Sequence, residues 1–107
     1  MKLLLDECLP RKLKNQLLEH ECSTVPEQGW AGKKNGELLF LPAKSGFEVF
    51  LTLDRGVEYE QNLRECDIAV VVISAKSSRL ADLLPRIPAI LRVLRSVQFG
   101  QFVRVTD

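Results

Sequence analysis

The chain has one histidine, His20, and three cysteines, Cys8, Cys22 and Cys66, which are widely spaced and form no CxxC pair. An odd number of scattered cysteines supports neither a disulfide framework nor a zinc site, and reduced thiols in a cytoplasm fit best. Long apolar runs are missing as well. The longest strongly apolar stretch, Ile68 to Ile73, is far too short to cross a bilayer. The opening MKLLLDE meets an acidic pair after three leucines, too soon for a signal peptide. We therefore expect a cytoplasmic protein with no membrane association. An excess of one charge is also lacking, because 15 Lys and Arg face 14 Asp and Glu, a formal net charge of +1. No overall field draws such a chain to nucleic acid, so any binding of that kind needs a local basic patch.

What is present is an ordinary globular balance, 46% hydrophobic and 27% charged residues, which excludes disorder. A length of 107 residues leaves room for a single domain, residues 1–107, and suffices to bury about two thirds of the unfolded surface without staples. No repeat, linker or low-complexity segment interrupts it.

Lys2 to Leu5 reads as a short strand stopped by Asp6. Pro10 then opens a helix carrying Leu13, Leu17 and Leu18 at helical spacing. Glu21 to Val25 is a second, weaker strand, followed by the turn-rich PEQGWAGKKNG. Residues 35–44 read as helix, with Asn35 as N-cap and Pro42 as a kink. Phe47 to Leu53 is aromatic and β-branched and ends at Asp54, as a buried strand would. Helix returns over Val57 to Arg64. Ile68 to Ile73 has the continuous apolar character of a central parallel strand. Leu80, Leu83, Leu84, Ile87, Leu91 and Leu94 form the apolar stripe of a helix broken near its start by Pro85 and Pro88. Phe102 to Val105 makes the last strand. Strands alternating with helices imply an α/β fold of three layers, a mostly parallel sheet flanked by helices.

In such sheets ligands bind beyond the carboxyl ends of the strands, and two strands here end in acids, LLLDE and FLTLD. Carboxylates gathered at one edge repel each other unless a cation compensates, and oxygen ligands favour Mg²⁺ or Mn²⁺ over zinc. Asp6 and Asp54 are the candidate metal ligands. Asp6 as a simple turn cap and Asp54 as a loop opener is the blander assignment.

The segments LLLDECLPRKL, GWAGKKNGELL and FLTLDRG followed by YEQNL resemble, in order and spacing, the short bacterial PIN-like proteins, relatives of the PIN-domain nucleases that include many toxin-antitoxin ribonucleases. The later VVVIS, RLADLLP and RIPAILRVL are similar to the second half of that family. The resemblance implies a parallel sheet flanked by helices and acids holding Mg²⁺ or Mn²⁺ for hydrolysis of RNA phosphodiester bonds. It assigns Asp6, Glu37 and Asp54 as the catalytic, metal-holding acids, with Glu7 completing the family's DE pair. Glu37 serves as a ligand or as the base that orients the attacking water. Glu7, Asn35 and Arg55 are supporting or substrate-contacting residues. The implied partners are RNA, an antitoxin protein and a second copy of the chain. Relatives often carry aspartate where this chain has Asn35 and Gly56, and the loss of two carboxylates implies weak, one-metal binding. Two other readings stay open. One is a non-catalytic PIN-like binding module. The other is a receiver-type phosphoacceptor domain with Ser74 after its fourth strand, although FVRVTD lacks the lysine that such domains carry after the fifth.

Trp30, flanked by Gly29 and Gly32, reads as a hydrophobic plug, the alternative being an RNA-stacking surface. Arg11, Lys12 and Lys14 read as a solvated helix face. His20 reads as the end of the first helix, where a cation suits the dipole. Cys8 reads as a buried, unreactive thiol.

Overall fold

The computed structural model describes residues 1–33, 41–53 and 67–106. Five strands form one all-parallel sheet: β1 (Lys2–Leu5), β2 (Glu21–Thr24), β3 (Val49–Thr52), β4 (Ala69–Ile73) and β5 (Phe102–Val105), in the order β2-β1-β3-β4-β5. An α/β fold with a parallel sheet is therefore what these residues make. The three inner strands read as near-continuous apolar runs because both faces are covered. Leu3, Leu4, Leu5, Phe50, Leu51, Val70 and Val71 are fully buried. The outer strands β2 and β5 are only partly buried, and their sequences, ECST and FVRV, carry the polar residues.

Alternation along the strands divides the core in two. Leu3, Leu5, Leu51 and Val71 point to one face, where they meet Leu13, Leu17, Leu83, Ile90 and Leu94. Leu4, Phe50, Val70 and Val72 point to the other, where Phe47 and Val25 are buried and Trp30 and Ala43 pack against them. Each large apolar side chain removed from water in this way contributes roughly 1.5–3 kcal/mol before entropy is counted.

The first helix departs from expectation. It is a 3₁₀ helix, Arg11–Gln16, with no side-chain cap at its start, and it closes at Leu17 (φ −126°, ψ 39°). That turn of the backbone keeps Leu17 in the core and leaves Leu18 81% exposed, so the third leucine of the expected stripe belongs to the surface. His20 consequently lies beyond the helix; its backbone N–H donates to Leu17 O at 2.9 Å, and its buried Nδ1 has no hydrogen-bond partner among the described residues.

The last helical region breaks where its prolines stand. α1 (Leu80–Leu83) passes into a 3₁₀ turn (Leu84–Arg86) with Pro85 near its start, and α2 (Ile87–Leu94) follows with Pro88 in its first turn. The break turns Arg86 toward the sheet, where its Nε donates to Ser74 O at 2.7 Å, just past β4.

Residues 41–44 are helical, whereas the rest of the expected second helix and the expected helix from Val57 lie outside the described residues. Trp30 is the plug. Gly29 and Gly32 flank it with φ of 79° and 83°, values that only glycine adopts readily, and its ring meets Phe47 edge-on at 6.1 Å. Among the described residues no helix is long and apolar enough to cross a membrane.

Candidate functional site

The strand order fixes where a ligand would enter. The chain leaves β1 toward β2 on one side, then returns across β1 to place β3 on the other, so the order reverses between β1 and β3. In open parallel sheets the crevice at that reversal, beyond the carboxyl ends of the strands, is the ligand position. Asp6 stands there.

Its backbone continues the ladder, with the N–H donating to Leu51 O at 2.9 Å, and its carbonyl accepts from Leu9 N–H at 2.9 Å to begin the following turn. The register Leu5↔Leu51 then brings Thr52 alongside Asp6. The Thr52 hydroxyl donates to Asp6 Oδ2 at 2.6 Å, and the Glu7 N–H donates to Asp6 Oδ1 at 2.8 Å. Thr52 is completely buried and Asp6 is only 7% exposed. Hydrogen bonds to an ionised acceptor are each worth about 1.5–3 kcal/mol, so the carboxylate is firmly oriented. Two donors use about half of the four or so lone-pair positions of a carboxylate. Among the described residues no cationic side chain pairs with it.

Cys8 is exposed rather than buried as expected, because it lies in the turn beyond β1, although its Sγ still comes within 3.9 Å of Thr52 Oγ1. Desolvation, with the charge of Asp6 adding to it, pushes the Cys8 thiol up from its ordinary range. A thiol held protonated is a poor nucleophile, in line with the unreactive role expected of it.

Glu7 lends the site its backbone N–H while its own side chain is exposed. Glu37, Asp54, Asn35, Arg55 and Gly56 lie outside the described residues. With two of the three expected acids in that group, the described residues hold no cluster of three candidate ligand side chains. Thr52 is the residue that sequence reasoning misses. Matching the two strands LLLDE and FLTLD by their acids sets Thr52 opposite Leu4, and only the register of the folded sheet brings it beside Asp6.

A second carboxylate occupies the same edge one strand away. Glu27 and Thr24 bond reciprocally, Thr24 N–H to Glu27 Oε1 at 2.9 Å and Glu27 N–H to Thr24 Oγ1 at 3.2 Å, the arrangement of a capping box. Lys14 Nζ donates to both Glu27 oxygens, at 2.9 and 3.0 Å, and Arg11 Nε lies 3.8 Å from Oε2. The Lys14 bond, helped by the Thr24 N–H, holds the Glu27 carboxyl down at about 2.

The chain matches no family model, no curated protein and no solved structure. The site must therefore be read from its own chemistry.

Proposed function

We propose that the chain is a PIN-like, Mg²⁺- or Mn²⁺-dependent ribonuclease of the cytoplasm, acting through Asp6, Glu37 and Asp54. The observation that carries the reading is Asp6 itself: a buried carboxylate at the reversal point of a parallel sheet, oriented by two neutral donors and paired with no cation among the described residues. Burying such a charge is costly unless something positive completes it, and its spare lone pairs suit a hard, oxygen-seeking ion. Asp54 follows Thr52 by two residues in the chain, and Thr52 belongs to the strand that neighbours Asp6.

Asp6 and Asp54 would hold the ion, with Glu37 as a third ligand or as the base that takes a proton from the attacking water. When bound, the ion would supply charge neutralisation at the phosphate and a water of lowered pKa. Thr52 and the Glu7 N–H keep Asp6 from rotating, the kind of support on which ligand geometry depends. Arg55 would contact the phosphate. Such a nuclease fits the toxin of a toxin-antitoxin pair, with an antitoxin protein as its partner.

The test is incubation of single-stranded RNA with Mn²⁺ and either the native chain or Asp54→Asn. Cutting by the native chain and none by the variant supports the reading, and equal cutting by both defeats it.

One observation favours a second reading. The order β2-β1-β3-β4-β5 is also that of receiver domains. In that case Asp54 would accept a phosphoryl group beside Asp6 and Glu7, with Ser74 past β4. The absence of a lysine in FVRVTD ranks this reading second, and labelling of Asp54 by a small acyl phosphate would reverse the ranking. Metal-independent binding of a partner protein without RNA cutting would instead favour a non-catalytic PIN-like module.

A further inference from the structure

We infer that the 3₁₀ helix leaving the candidate site is a docking surface for the phosphates of a single-stranded RNA. The inference rests on the ribonuclease reading and adds to it the path of the substrate. Three of residues 11–14 are cationic, Arg11, Lys12 and Lys14, and with Asn15 they line a cleft of about 500 Å³. Sequence alone reads these residues as a solvated helix face. Their placement in the fold carries more than that.

Leu13 and Leu17 anchor the segment in the core, which leaves Arg11, Lys12 and Asn15 exposed. The same segment is attached to the candidate site at one end, because Leu9 N–H donates to Asp6 O and Leu13 N–H donates to Pro10 O. At the other side Lys14 is tied through Glu27 to Thr24, the last residue of β2, which pairs with Leu5 immediately before Asp6. The cations thus sit along the same carboxyl edge as Asp6.

Glu27 offsets one of the three positive charges and leaves a local excess of two on a chain whose total is +1. This is the local basic patch that the balanced composition requires of a nucleic-acid binder. Lys12 makes no ion pair among the described residues. Arg11, with a side chain 80% exposed, sits at 3.8 Å from Glu27, a surface pairing of little worth that a phosphate can replace. Lys14 is the fixed member and sets the spacing of the other two. A line of cations leading to an acidic centre matches a polyanion whose backbone passes over the cations and delivers one linkage to the acids.

The test is equilibrium binding of a single-stranded RNA oligonucleotide to the full chain in EDTA, read by fluorescence anisotropy over a series of salt concentrations. Removing one cation that neutralises a phosphate makes the slope of log K against log salt shallower by about 0.7. Arg11→Ala and Lys12→Ala should each show that change and the double variant about 1.4. Arg92→Ala, an exposed cation on α2, should keep the native slope. A native slope in the double variant, the same flattening in Arg92→Ala, absence of RNA binding at low salt, or displacement of RNA by an equal charge of polyglutamate would each overturn the inference. EDTA keeps the outcome separate from catalysis. Binding with the expected slopes by a chain that cuts nothing when given Mn²⁺ upholds the surface and removes the nuclease reading. Cutting with unchanged slopes does the reverse.

Discussion

Asp6 and Glu27 follow neighbouring strands at one edge of the same sheet, and they are held in opposite ways. Glu27 lies at the surface and is bonded to the Lys14 ammonium and to the backbone of Thr24. Its charge is answered, and its work is to pin the 3₁₀ helix to the end of β2. Asp6 is buried and is met by a hydroxyl and an amide, both neutral. Its orientation is secured, and among the described residues no cation answers its charge. Side by side, the two show how little a carboxylate's position in the sequence says about its role until its donors are known.

The largest effect should come from the support of the Glu27 side. Leu13 is fully buried and carries the helix that delivers Lys14, so Leu13→Ala should cost about 2–5 kcal/mol in urea denaturation. Leu18→Ala, on the exposed neighbour, should stay within about 0.5 kcal/mol. Comparable losses from the two would mean that Leu18 is packed after all.

Thr52→Val addresses the Asp6 side. It keeps the shape of the side chain and removes one of the two donors, which should cost about 1–3 kcal/mol of stability. It should also weaken Mn²⁺ binding about 10–100-fold in a calorimetric titration. Unchanged affinity in a folded variant would show that Asp6 is a structural acid like Glu27 and would erase the contrast between them.

The smallest effect is a dependence on pH. The Glu27 carboxyl, ordinarily near 4.5, is held at about 2 in the folded chain, so its ionised form stabilises the fold above about 4.5. That contribution is lost as pH falls toward about 2. The stability gap between the native chain and Glu27→Gln should accordingly be present at neutral pH and close across that interval. A constant gap down to the lower limit would mean that Glu27 acts through packing rather than charge.

Much of this is legible in the residues. Phe102 to Val105 reads as a strand and forms one, although it is an outer, partly buried strand. The run ending at Ile73 forms β4, because a buried parallel strand has an unmistakably apolar, branched composition. Pro85 and Pro88 mark the helix break for a reason intrinsic to proline. The 3₁₀ helix is not legible, since Leu13, Leu17 and Leu18 suit an α-helical stripe and the turn at Leu17 depends on how the chain reaches β2. Asp6 shows itself at its strand end, but Thr52 requires the register, which is a property of two segments rather than one. Glu27 is legible only in part: its spacing from Thr24 is that of a capping box, but its ion pair with Lys14 joins separate elements and leaves no local signal.

The separation of Asp6 from Thr52 also bears on the order in which the molecule assembles. The two residues are 46 positions apart, and the sheet is built wholly from parallel strands, none joined to its neighbour by a tight turn. Such long-range pairing makes for slow folding, because each pairing closes a large loop. During synthesis β1 can meet β2 early, yet Asp6 has only the Glu7 amide until residue 52 has emerged. The pairing that orients Asp6 is therefore completed late, only once residue 52 has been made.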